Sequence, residues 1–261
     1  MAEAALTGRN RDSRMTDILG WRLKVGSLVP SMNSAVEPEF AAMGVDGVTH
    51  IAARIALPNQ HFASDADAEA IVQATQEDLL PAMGRLMAAS PDRVVMAMAV
   101  PCFWGGVEGS AAMQAKLDAA AGVPVLLPPD AVGAALNALG TKRIAVISPY
   151  MPLADRHVEQ WFTESGFDVA EVRGLRAPVE DQIINITPDE LEAGFRRVDA
   201  PDVEALVHVG TSIAMARVVE GFEKTFGKPI VSVNVACWWA TLRAAGINDQ
   251  IDGFGTLMRE H

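Results

Sequence analysis

Thiols, phenols and imidazoles, the side chains best suited to nucleophilic or proton-transfer chemistry near neutral pH, are few in this sequence. There are two cysteines, Cys102 and Cys237, a single tyrosine, Tyr150, and five histidines. Cys102 stands in P-C-F-W-G-G (101–106), between an apolar run and a helical stretch. A thiol at a helix N-terminus has its pKa lowered and becomes a nucleophile, whereas a thiol in a core is inert. The position of Cys102 fits either. Cys237, in A-C-W-W, reads as a packed core residue. The histidines at 50, 61, 157, 208 and 261 show no paired spacing and no Cys/His cluster, so no metal site is expected. G-G-x-x-G at 105–109 lacks the G-x-G-x-x-G order and does not follow the first strand, so no cofactor is expected either. Neither a phosphate-binding P-loop nor a G-x-S-x-G elbow occurs.

Hydroxyls and amides are better represented, in three short loops. V-P-S-M-N-S (29–34) carries Ser31, Asn33 and Ser34; S-P-Y (148–150) carries Tyr150; G-T-S (210–212) carries Thr211 and Ser212. Such groups, with the backbone N–H groups of a following turn, can bind a carboxylate without any cation. They also serve as ordinary helix caps. A site built from them would stabilise carboxylate or enediolate charge by preorganised donors.

These loops need a scaffold, and the sequence supplies one. Half of the 261 residues are apolar and 21% are charged, enough for a buried core in one or two domains. Apolar, β-branched runs at 23–29, 48–55, 93–100, 124–128, 143–148, 168–175, 205–210 and 229–234 read as strands. Helix-period stretches separate them at 63–89, 109–122, 130–140, 152–166, 187–199, 213–227 and 236–246. Ser64 and Asp65 cap the first of these, Pro81 is expected to bend or break it, and Thr187 with Glu190 forms a capping box. The alternation implies an α/β fold with parallel sheets covered by helices. An internal echo, G-V-P-V-L-L to A-L-G (122–140) and G-K-P-I-V-S to A-A-G (227–246), points to two similar halves. A two-lobed chain of this kind places its site between the lobes, at the carboxyl ends of the strands. The expected division is an N-terminal extension (1–20), a first lobe (21–122 with 235–261) and a second lobe (123–234).

The net charge of −12 argues against nucleic acid and anionic membranes as partners, and no apolar run is long enough to span a bilayer. Arg9, Arg11 and Arg14 interrupt the first twenty residues and no apolar core follows, so the segment does not read as a secretory signal. The cytoplasm is the expected location, and there the cysteines stay reduced.

Taken together, V-P-S-x-N-x-x-x-E-P-E-F, His50-x-x-x-Arg54, the S-P-Y loop and the G-T-S turn resemble the aspartate/glutamate racemase superfamily, in its maleate cis–trans isomerase and arylmalonate decarboxylase branch. The resemblance covers about residues 22–260. It implies two pseudo-symmetric Rossmann-like lobes, each a parallel sheet flanked by helices, with the site in the inter-lobe cleft. It also implies a cofactor-free enzyme acting on a small carboxylic acid; separately, the exposed surface of such lobes leads to the expectation of a homo-oligomer. In that superfamily two cysteines flank the substrate, one from each lobe, and carboxylates are held by backbone N–H groups, the Asn of the first loop and the Tyr of the S-P-Y loop. Those roles carry over to Asn33 and Tyr150, with Ser31 beside them; Ser212 is a carboxylate-binding candidate from its own turn.

The thiols do not carry over. The second-lobe cysteine falls at about Thr211, and the first-lobe cysteine near Met98 or Ala99, a few residues before Cys102. Thr211 and Cys102 are therefore the candidate catalytic residues, Cys102 on condition that the Pro101 turn re-aims it into the cleft. The expected function is isomerisation of a small unsaturated dicarboxylate or related acid. The alternatives are decarboxylation of a malonate-type acid, racemase-like chemistry, and carboxylate binding without catalysis.

Overall fold

Central strands of a parallel sheet have helices on both faces and read as unbroken apolar runs, whereas edge strands keep polar residues. The computed structural model, which describes residues 17–57, 64–177 and 180–261, follows this rule. Strands β1 (Leu23–Pro30) and β5 (Arg143–Ser148) are central and almost wholly buried. Strands β2 (Val48–Ile55) and β6 (Asp168–Gly174) lie at edges and are mostly half-buried or exposed. With β3 (Arg93–Met96), β4 (Val125–Leu126), β7 (Ala205–His208) and β8 (Ile230–Ser232), the described residues form two four-stranded parallel sheets. Their orders are β2-β1-β3-β4 and β6-β5-β7-β8, the same winding twice.

Helices α1 (Val36–Ala42), α2 (Asp65–Met87), α3 (Val100–Phe103), α4 (Gly106–Ala121) and α5 (Pro128–Ala138) belong to the first repeat. Helices α6 (Pro152–Glu164), α7 (Pro188–Val198), α8 (Val219–Phe226), α9 (Val233–Ala244) and the short α10 (Thr256–Glu260) follow in the second. The echo read from sequence is the fourth strand and closing helix of each repeat. Gly122 and Gly227 precede those strands with φ of 64° each, and Gly140 and Gly246 follow the helices with φ of 68° and 75°. Helices α5 and α9 pack against each other and join the repeats through one continuous apolar core.

Several expectations are corrected. The division at 122/123 comes one strand early: Val125–Leu126 pairs with Val94–Val95 and extends the first sheet. Pro81 does not break α2, which runs on through it. Pro81 and Glu77, whose carbonyl loses its i+4 donor, both lie on the exposed face, where water replaces the missing bond. The third strand stops at Met96 and the chain turns into α3, so Cys102 lies within a helix rather than in a loop before one. The helix expected from Ile213 starts only at Val219. Of the N-terminal extension, residues 1–16 lie outside the described residues, as does His61. Among the described residues, no helix is long and apolar enough to cross a membrane.

The end of β6 abuts the S-P-Y loop so closely that only glycine fits. A Cβ on Gly174 would stand 2.3 Å from the Tyr150 carbonyl oxygen and 2.5 Å from Asp155 Oδ2. Gly174→Ala is expected to cost about 1–3 kcal/mol, as overpacking against backbone does, measured by urea denaturation.

Candidate active site

The central strands of both sheets deliver their C-terminal loops to one place. Leu28 pairs with Met96 and Ile147 with His208, so continuing each register sets Pro30 beside Met98 and Pro149 beside Gly210. These loops line a narrow cleft, with about 20 Å³ open to water, together with Ile71 of α2 and Ile183 of a short 3-10 turn. The two walls differ. Met98, Ala99 and Val100 of the first repeat are apolar, while Tyr150, Thr211 and Ser212 of the second carry hydroxyls. By the internal register Ala99 is the counterpart of Thr211, three residues beyond the paired Met96 and His208.

Asn33 explains how the polar wall is set. Its Oδ1 accepts from the amides of Ala35 (2.9 Å) and Val36 (3.1 Å) at the start of α1. That fixes the amide so that Nδ2 faces the second repeat, donating to Ser212 Oγ (3.1 Å) and Thr211 Oγ1 (3.4 Å). Asn33 thus both accepts from the amides that lead into α1 and donates across to the other lobe. A hydroxyl oxygen that accepts from Asn33 keeps its own proton to donate, which suits it to a carboxylate. Gly210, with φ of 121°, lets this turn pass against Pro149, whose Cδ would lie 2.6 Å from a Cβ at that position.

Charged side chains hold both loops without entering the cleft. Arg54 donates to the carbonyls of Pro30 (3.1 Å) and Asn33 (2.6 Å) and pairs with Glu37. Glu39, buried in α1, accepts from the amides of Met215 (2.6 Å) and Ala216 (2.5 Å) and from Asn234 Nδ2 (2.7 Å). Burial pushes its carboxyl pKa up against the pull of those three donors. Asn234 Nδ2 also donates to the Thr211 carbonyl at 3.0 Å. Glu39 therefore occupies the Met215 and Ala216 amides within the irregular stretch that precedes the helix start at Val219. Glu37, Glu39, Arg54 and Asn234 went unassigned in the sequence, although E-P-E-F and His50-x-x-x-Arg54 contain the first three.

On the second repeat, Tyr150 is buried and its amide donates to Ser148 Oγ at 3.0 Å; Ser148 in turn donates to Asp155. Burial raises the Asp155 carboxyl to about 6, opposed by the Ser148 bond and the charge of Arg176. His50, held by Ser27 Oγ at 2.8 Å and edge-on to Phe40, is pushed down to about 4 by burial and stays neutral.

Two sequence candidates are displaced. Ser31 donates to the Ile55 carbonyl (2.8 Å) and accepts from the Leu57 amide (3.1 Å), splicing the ends of β1 and β2 instead of facing the cleft. Cys102 is 0% exposed, its Sγ donates to the Met98 carbonyl at 3.2 Å, and burial drives its thiol pKa well above the usual range. Helix α3 turns it into the core, so helix geometry buries the thiol instead of activating it. Cys237 is buried in α9, as its tryptophan neighbours suggested, with its thiol pKa also raised by burial. With both cysteines so placed, the cleft holds no thiol. Among the described residues, no three His, Cys, Asp or Glu side chains cluster as a metal site would require.

Comparison with known proteins agrees with this architecture. Residues 25–258 match the family model described as arylmalonate decarboxylase. A maleate isomerase of Pseudomonas putida is 27% identical over 257 residues, covering 90% of this chain and 96% of that protein. The solved maleate cis–trans isomerase of Nocardia farcinica, as a cysteine-to-serine mutant with a covalently bound succinylcysteine intermediate, superposes with a TM-score of 0.82 at 22% identity, over 92% of this chain and 99% of that one. A solved arylmalonate decarboxylase superposes at 0.71 with 20% identity, over 90% and 98%.

Two outcomes test these placements. Cys102→Ala is expected to keep ligand binding and any turnover within about twofold, while unfolding at a free energy lower by about 1–2 kcal/mol, from the cavity it leaves. Asp155 carries a raised pKa in the fold, so its contribution to stability is full below its unfolded value of 3.8 and is lost as pH rises through about 6. Asp155→Asn, locked neutral, should therefore gain stability relative to the parent between about pH 4 and pH 7, on the order of 3 kcal/mol, read by denaturation at stepped pH.

Proposed function

Because this chain belongs to the arylmalonate decarboxylase family, we propose that it is a cofactor-independent isomerase of a small unsaturated dicarboxylate or a related carboxylic acid. The observation that carries this reading is the inter-lobe donor set, with Thr211 and Ser212 hydroxyls oriented by Asn33 beside Tyr150 at the strand ends. Maleate isomerases similar along nearly its whole length support it.

Chemically, a substrate carboxylate takes hydrogen bonds from the two hydroxyls and from Tyr150. Thr211 Oγ1 adds to the far alkene carbon, the displaced electron pair moves into the carboxylate as an enediolate, and the threonine proton is delivered to the near carbon. The former double bond is then single and free to rotate. Elimination in the reverse order restores Thr211 and leaves the opposite geometry. In the Nocardia farcinica relative the covalent intermediate is a succinylcysteine, a bond to sulfur. An unactivated hydroxyl is a far weaker nucleophile, so turnover here rests on stabilisation of the enediolate.

The thiol-free cleft favours one second reading, decarboxylation of a malonate-type acid. That reaction needs no nucleophile: carbon dioxide leaves, the electron pair stays on the α-carbon as an enediolate, and Thr211 supplies a proton that water returns. Ala99, opposite in the register, carries no proton acceptor, which argues against two-base racemisation. We extend the proposal to a homo-oligomer in the cytoplasm, where the two unpaired cysteines stay reduced.

Incubation with maleate and with phenylmalonate in heavy water decides between the reactions. Fumarate without loss of mass supports isomerisation; carbon dioxide with one deuteron gained supports decarboxylation. Thr211→Cys is expected to raise maleate turnover by about tenfold or more, and Thr211→Val to lower it by about a hundredfold. Thermal stabilisation by these acids with no turnover would overturn the enzyme reading in favour of a carboxylate-binding protein.

A further inference from the structure

The polar wall of the cleft is an irregular turn, and such a turn does not hold its own geometry. Residues 211–218 form neither strand nor helix, and the regular bonds around them are few: Ile213 N to Gly210 O, and Val218 N to Met215 O. What fixes the middle of the segment is a side chain from the other repeat. Glu39 Oε1 receives both the Met215 and Ala216 amides, and Oε2 receives Asn234 Nδ2. The second hydrogen of the same Asn234 amide reaches the Thr211 carbonyl. A chain of hydrogen bonds thus runs from α1, through the start of α9, to the backbone of the residue proposed to react.

Helix α1 sets both ends of that turn. Its first amides orient Asn33, which addresses the Thr211 and Ser212 side chains, and its fourth residue is Glu39, which addresses the turn backbone. Both contacts cross between repeats separated by more than 170 positions in sequence.

We infer that Glu39 is a positioning residue for the inter-lobe site: through Asn234 and the Met215–Ala216 amides it holds Thr211 and Ser212 at the place where a substrate carboxylate binds. The inference rests on the proposed site but not on its reaction. Glu39 touches no cleft atom itself, so its removal displaces the turn without removing a donor.

The test uses Thr211→Cys as a probe, because the native cysteines are 0% and 1% exposed. In that background the alkylation rate of residue 211 is followed by mass spectrometry with iodoacetate, which carries a carboxylate, and with neutral iodoacetamide. Glu39→Gln is expected to lower the iodoacetate rate by about tenfold or more while changing the iodoacetamide rate by less than about threefold, since a misplaced turn loses the oriented encounter first. Asn234→Ala should act in the same direction, the double variant should be no slower than the slower single one, and Glu39→Asp should recover part of the rate. If Glu39→Gln does not fold, Asn234→Ala and Glu39→Asp decide the point. Unchanged rates, equal losses with both reagents, or losses that multiply in the double variant would overturn the assignment. The assay contains no turnover, so absence of maleate isomerisation with this pattern intact defeats the isomerase reading alone.

Discussion

A buried carboxylate shared between two repeats governs the geometry of the cleft. Stripping an ionised Glu39 of water costs several kcal/mol. Hydrogen bonds to a charged group return about 1.5–3 kcal/mol each, and Glu39 accepts three. The two sums are of similar size, so the arrangement contributes little net stability. An apolar residue there would leave the Met215, Ala216 and Asn234 N–H groups buried and unpaired, at about 1–3 kcal/mol each. What the carboxylate supplies is direction: two backbone amides and one side-chain amide converge on it, and the 211–218 turn bends to bring them there. Arg54 does the same for the opposite loop by donating to the Pro30 and Asn33 carbonyls. The loops that meet at the cleft are both irregular, and both are held by a charge acting on their backbone from outside.

The internal duplication explains where the site lies but not what it does. Both repeats wind their strands in the same order and send equivalent loops to the cleft. Their chemistry has diverged. Gly210-Thr211-Ser212 presents hydroxyls and admits a sharp turn, whereas Met98-Ala99-Val100 presents methyls and thioether and leads straight into α3. Charge developing on a substrate is thus met by donors from one side and by an apolar wall from the other. Such a cleft can stabilise an enediolate, but it has no proton acceptor on its second face.

Much of this was legible in the sequence because it depends on patterns that repeat. Central parallel strands have no solvent face, so β1 and β5 stand out as apolar runs whatever their loops do. The four glycines of the echo mark the same strand and helix twice because each adopts positive φ. The hydroxyl loops were found because strand ends are where a two-lobed α/β chain must bind. Two of the misses have a different cause, a contact between residues distant in sequence. The helix expected from Ile213 is too long because periodicity cannot reveal that residues 211–218 run as an irregular turn whose amides meet Glu39, 176 positions away in sequence. Ser31 has the composition of a site residue but spends its hydroxyl on the neighbouring strand. Cys102 is a local case: the single turn of α3 faces its thiol into the core, where it meets the Met98 carbonyl.

The charge balance then takes on a different meaning. Judged by its net charge of −12 alone, the chain is a poor host for a dicarboxylate. Salt screens surface charges beyond about 8–10 Å, so the distant acidic residues count for little inside a cleft. What counts is the local set, and there the acidic groups are neutralised or occupied: Glu39 by three N–H donors, Asp155 by burial and Ser148, Glu37 by Arg54. The groups left facing the ligand are hydroxyls whose oxygens already accept from Asn33. An anion is therefore met by oriented dipoles rather than by a cation, in a space small enough to exclude most water. Oriented dipoles of this kind favour charge that is delocalised and still forming over charge that is fixed, because they need no reorganisation as it develops. That preference, more than any single nucleophile, is what the oriented donors of this cleft supply.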